Sequence, residues 1–178
     1  IKVDRDVVVP MRDGVVLRAD IYRPSGDGKY PVLVFRTPYG KQRDGMHESK
    51  IQFAQRGYAV VVQDTRGRFN SDGEFFPYKD DRADGYDTVE WVAAQEWCDG
   101  NVGTLGLSYT TANQQALAIT HPPHLRTQIL LDGGYNYFTR TMRHSARLAV
   151  RPAFCAPAST DAQWLPTYAG LRLRLMGM

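Results

Sequence analysis

Ser108 is the residue of this 178-residue chain whose setting most suggests chemistry. It stands in GLSYTTANQQA, residues 106–116, two positions after Gly106, where an apolar run gives way to a helical pattern. A serine hydroxyl attacks a carbonyl carbon when a sharp turn lifts it clear of the backbone and a base takes its proton. Small flanking residues allow such a turn, and Gly106 supplies one. Position 110, where a second glycine would complete a five-residue pattern, carries Thr110. Serine is also a favoured helix N-cap, accepting a hydrogen bond from first-turn N–H groups. On this motif alone both roles are open.

Other residues with chemical potential read more simply. Asp64, Arg66 and Asp72 in QDTRGRFNSDGEF are expected to form a structural ion-pair and turn network, because carboxylates beside an arginine in a glycine-rich loop usually do so. His47, His121, His124 and His144 have no neighbours at metal-ligand spacing. The two cysteines, Cys98 and Cys155, are far apart and support neither a disulfide framework nor a zinc site. Tyr39 in RTPYGK reads, without further context, as a turn tyrosine with a solvated hydroxyl.

The elements that must position these residues alternate along the chain. VVVPM and VVLRADIYRP, joined by RDG, form a hairpin, since Asp-Gly suits a tight turn. YPVLVFRTPYG and YAVVVQDTRG are continuous apolar runs without polar alternation, as in the buried strands of a parallel sheet. Between them ESKIQFAQRG places Ile51, Phe53 and Ala54 near one helical face and stops at Gly57. DDRADGYDTVEWVAAQEWCDG gives a second helix through Tyr86, Val89, Trp91, Val92 and Ala93, behind an acidic first turn that complements the helix dipole. A short strand over 102–105, a helix in TTANQQALAITH and a strand in LRTQILLDGG follow. The order predicts an open α/β sheet with right-handed crossovers.

Composition narrows the partners. The net charge of +3 arises from 22 basic and 19 acidic residues scattered in both signs. No block of like charge suggests a nucleic-acid or membrane surface. No apolar run approaches the roughly 20 residues needed to cross a bilayer, and IKVDRDVVVPMRDG has no basic-then-apolar leader pattern. A cytoplasmic location is therefore expected, although the chain begins without methionine.

Four stretches, VPMRDGVVLRADIYRP, PVLVFRTPYGK, YAVVVQDTRGRFNSDGEF and DTVEWVAAQEWCDGNVGTLGLSY, change the weight of the serine. In this order and spacing, over about residues 4–144, the chain resembles the family of cocaine esterase, the X-prolyl dipeptidyl aminopeptidases and the α-amino acid ester hydrolases. The resemblance implies an α/β-hydrolase fold and Ser-His-Asp acyl transfer through a covalent acyl-enzyme, with no cofactor. By resemblance Ser108 is the nucleophile. The hydroxyl of Tyr39 and the backbone N–H of Tyr109 are the oxyanion donors. The substrate is then a small ester or a short peptide.

Two departures accompany the resemblance. Thr111 stands where the family usually carries glycine, and a β-branched side chain there is expected to crowd the approach of helix to strand. The family's aspartate and histidine fall beyond a helical cap insertion, so the chain is expected to be an N-terminal part of the fold: 1–144 a partial hydrolase domain, 145–178 a divergent or truncated tail, the start of the cap or an off-frame end. A local triad from Asp132 and His144 would need GGYNYFTRTMRHS to fold back on Ser108; His144 fits the cap better. The alternative is a non-catalytic α/β remnant. In a part of the fold an uncovered apolar sheet edge, open to self-association, is expected.

Overall fold

The computed structural model describes residues 1–43 and 47–133, so the tail 145–178, the 144/145 boundary, Cys155, His144 and the start of a cap lie outside the described residues. The elements in chain order are β1 (Lys2–Pro10), β2 (Val16–Arg23), β3 (Tyr30–Thr37), α1 (His47–Gln55), β4 (Ala59–Asp64), α2 (Asp81–Ala93), β5 (Cys98–Leu107), α3 (Tyr109–Ala118) and β6 (Leu125–Leu131). The strands make one mixed sheet in the order β1-β2-β4-β3-β5-β6. The β1–β2 hairpin joins antiparallel through β2 to β4, whereas β4, β3, β5 and β6 run parallel.

The apolar runs explain the centre of this sheet. Every residue of β4 is buried. Its alternation sends Val60 and Val62 to one cluster with Tyr22 and Ala54 of α1, and Ala59 and Val61 to another with Val89 and Val92 of α2 and Leu117 of α3. Each valine so buried contributes about 1.5–3 kcal/mol relative to exposure. Both faces of the central strands are therefore covered, as parallel strands require.

Two details differ from the sequence expectation. Strand β5 begins at Cys98 rather than 102, because Cys98 pairs with Tyr30 across a register shift in β3. The acids of the first turn of α2, Asp81 and Asp84, do more than favour the dipole: both are buried and face arginines of the sheet and the following loop. At the sheet margin, among the described residues, Ile129, Leu130 and Leu131 of β6 are 46%, 44% and 50% exposed. No helix among the described residues is long and apolar enough to cross a membrane.

Candidate active site

Strand β5 ends at Leu107 and α3 begins at Tyr109, so the whole change of direction falls on Ser108. Its backbone takes φ 59° and ψ −114°, a conformation that costs a non-glycine residue about 1–3 kcal/mol and persists only when its surroundings enforce it. The hydroxyl makes no cap hydrogen bond to the first turn, so the N-cap role is not the one it fills. The residue is exposed at the C-terminal end of the strand.

Local contacts hold the turn. The Ser108 N–H donates to Leu131 O at 3.1 Å, and the N–H groups of Thr111 and Ala112 donate to Ser108 O at 2.9 and 3.2 Å. Thr110 Oγ1 accepts from the Leu107 N–H at 2.5 Å and donates to Leu107 O at 2.8 Å. A Cβ at Gly106 would lie 2.3 Å from Thr110 Oγ1, so the glycine before the serine leaves room for the threonine after it.

Thr111 corrects the expected crowding. Its hydroxyl stands 2.9 Å from Gly106 O and 2.6 Å from Leu131 O, tying α3 to both β5 and β6. Its methyl occupies the space beside Gly133, where a Cβ would come within 2.0 Å. The bulk absent from position 133 thus admits the branch at 111.

Tyr39 lies on the neighbouring turn, after β3, and that turn is fastened by distant groups. Thr65 N–H donates to Thr37 O at 3.0 Å, and Arg68 Nε donates to Pro38 O at 2.9 Å. The Lys41 N–H donates to Asp64 Oδ1 at 2.7 Å, while its ammonium pairs with Asp64 Oδ2 at 3.0 Å and Asp6 Oδ1 at 2.7 Å. Burial alone would lower the Lys41 ammonium, but its hydrogen bonds to Asp6 and Asp64 hold it above the usual lysine value. Lys41 and Asp64 are both buried.

The two turns meet through aromatic rings. Tyr39 and Tyr109 are edge to face, with centroids 6.3 Å apart. Burial raises the Tyr39 phenol above its ordinary value, opposed by Arg43, so at neutral pH it remains a hydroxyl with a proton to donate. Tyr109 is buried; its hydroxyl donates to Asp81 Oδ2 at 2.8 Å and accepts from the Tyr78 N–H at 3.2 Å. Burial, and then the Asp81 charge, push the Tyr109 phenol far up. Burial likewise raises the Asp81 carboxyl, against the pull of Arg36 and the Tyr109 hydrogen bond.

Below the rings a buried polar network joins β3, β4 and α2. Arg36 Nε donates to Gln63 Oε1 at 2.9 Å and its Nη2 lies 3.5 Å from Asp81 and 3.8 Å from Asp84. Arg66 pairs with Asp84 at 2.6 Å and Asp13 at 2.8 Å. Asp64, Arg66 and Asp72 therefore do not converge: Asp64 holds Lys41, Arg66 holds Asp84 and Asp13, and Asp72 fastens its loop through main-chain bonds to Gly67 and Val16. Among the described residues no group of three or more His, Cys, Asp or Glu is placed to hold a metal ion. His124 Nδ1 lies 2.8 Å from Glu90 Oε2 just before β6, and His121 follows the C-terminal end of α3; both are at the far ends of their elements from Ser108. Sequence reasoning missed Asp81 and Lys41, whose partners lie 28 and 23 positions away.

A mainly parallel sheet with helices on both faces and a strained, exposed serine between strand and helix is an α/β-hydrolase fold. The particular family follows from similarity: the chain belongs to the X-Pro dipeptidyl-peptidase (S15) family, which its residues 13–169 match. Over 119 residues it is 50% identical to cocaine esterase of Rhodococcus sp. (strain MB1 Bresler), covering 65% of this chain and 21% of that protein. A CocE/NonD family hydrolase from Staphylococcus aureus superposes with a TM-score of 0.72 at 32% identity, over 77% of this chain and 28% of that one. An α-amino acid ester hydrolase superposes with a TM-score of 0.67 at 27% identity, over 78% and 26%. The chain spans about a fifth of the length of the curated relatives it matches.

Proposed function

We propose that the protein is a serine hydrolase that opens an ester or amide acyl bond through an acyl-enzyme on Ser108. The observation that carries this reading is the backbone of Ser108, a positive-φ residue with no capping role, exposed where β5 meets α3. Strain of this kind serves to present a side chain rather than to stabilise a turn.

In the proposed reaction Ser108 Oγ bonds to the carbonyl carbon and its proton passes to a base. The carbonyl π pair moves onto oxygen, and collapse of the tetrahedral adduct expels the alcohol or amine with a proton. The Tyr109 amide, first of α3, and the Tyr39 hydroxyl receive the oxyanion, each such donor accelerating acyl transfer by about 10²–10³. His121 and His124 do not serve as the base, given their distance along α3 and β6. Water then attacks the acyl-enzyme by the same steps. No cofactor enters.

A small ester is the preferred substrate over an X-Pro peptide, on the 50% identity to cocaine esterase. The test is hydrolysis of p-nitrophenyl acetate and of Gly-Pro-p-nitroanilide by protein that carries this chain together with the histidine and aspartate the family places beyond it, as wild type and as Ser108→Ala. Ester turnover that disappears in Ser108→Ala is expected; turnover that survives the substitution contradicts the reading.

A further inference from the structure

Tyr109 is assigned to the oxyanion site through its amide, and nothing in that role explains its side chain. The phenol is nevertheless the most heavily engaged ring near Ser108. Its hydroxyl bridges Asp81 Oδ2 at 2.8 Å and the Tyr78 N–H at 3.2 Å, and its ring stacks on Tyr78 with centroids 4.6 Å apart. Asp81 is itself buried and linked to Arg36, whose Nη1 donates to Asp81 O at 2.9 Å and whose Nη2 lies 3.5 Å from Oδ1. Arg36 immediately precedes Thr37, the last residue of β3, which leads into the Tyr39 turn. One side chain at the start of α2 thus reaches both segments that bear the oxyanion donors.

We propose that Asp81 is a positioning residue for the oxyanion site, fixing the Tyr109 amide through the Tyr109 hydroxyl and, through the Tyr109 ring, the seat of Tyr39. This rests on the acyl-transfer reading of Ser108. Misplacing donors aimed at a developing charge lowers the rate of the chemical step and leaves ground-state binding alone. Filling space in the core would instead affect stability only.

The experiment compares kcat and KM for p-nitrophenyl acetate in the full chain, together with melting temperature. Tyr109→Phe and Asp81→Leu are each expected to lower kcat about tenfold or more with KM within about twofold. Asp81→Asn, which keeps an acceptor oxygen, is expected to hold kcat within about threefold, and the Tyr109→Phe/Asp81→Leu double variant to be no slower than the worse single one. Should Asp81→Leu not fold, Tyr109→Phe and Asp81→Asn decide the matter alone. Unchanged kcat in folded Tyr109→Phe, with only the melting temperature lowered, overturns the proposal. Ser108→Ala measured alongside separates the two levels: if it still hydrolyses the ester the acyl-transfer reading falls and this inference with it, whereas inactive Ser108→Ala beside fully active Tyr109→Phe removes the inference alone.

Discussion

The turn at Ser108 and the turn at Tyr39 sit on neighbouring strands and touch through their tyrosines, yet they are held by a different balance of near and distant contacts. The Ser108 turn is fastened chiefly from within a few residues, by Thr110 against Gly106 and Leu107 and by the carbonyl of Ser108 itself, with β6 and, through the Tyr109 hydroxyl, Asp81 as more distant supports. The Tyr39 turn is fastened from far along the chain, by Asp64, Arg68, Thr65 and Asp6. A strained residue needs a rigid local frame, because small backbone shifts relax it. An exposed tyrosine needs only a fixed loop base, and buried charges supply that over any sequence separation.

The comparison is most readily broken at Asp64. Asp64→Ala leaves the Lys41 ammonium buried with only the half-exposed Asp6, and a loss of about 3–5 kcal/mol in denaturant unfolding is expected. Ser108 would remain labelled by a fluorophosphonate in the folded fraction, more slowly, because the Tyr39 turn and not the serine turn is damaged. Gly106→Ala attacks the other turn: its Cβ would meet Thr110 Oγ1 at 2.3 Å and the Thr110 carbonyl oxygen at 2.6 Å, and overpacking of this kind costs about 1–3 kcal/mol. Here labelling of Ser108 should vanish even from folded protein.

Thr111→Val sharpens the same point. It keeps the shape beside Gly133 and removes the hydroxyl bonds to Gly106 O and Leu131 O, for an expected loss of about 1–2 kcal/mol by chemical denaturation. The smallest effect has the opposite sign. Ser108→Gly relieves the positive φ, so the inactive variant should be more stable than wild type by about 1 kcal/mol, read as a rise in melting temperature.

These two turns also divide what the sequence could tell. The succession of strands and helices along the chain, the hairpin, both crossover helices and the placement of Ser108 follow from apolar runs, Asp-Gly and Gly-x-Ser, which are patterns a few residues long. The length of β5 did not, because residues 98–101 are held by pairing with β3 rather than by their own propensity. Thr111 pointed to crowding because its relief, Gly133, lies 22 positions on and reaches it only through the β5–β6 pairing. Asp81 was legible as a first-turn acid and hidden as the partner of Tyr109, since a helix start explains an aspartate without any distant contact. Short-range logic was visible, and the buried long-range polar links that steady the candidate site were not.

The most direct test of the account is labelling of the chain with a fluorophosphonate, read by intact mass and peptide mapping, with Ser108→Ala in parallel. One phosphonyl adduct on Ser108, absent from the alanine variant, is the expected result. An adduct that persists in Ser108→Ala would contradict the assignment of the strained serine as nucleophile, whereas an unmodified Ser108 in folded protein would mean that these residues do not themselves bring a base to it.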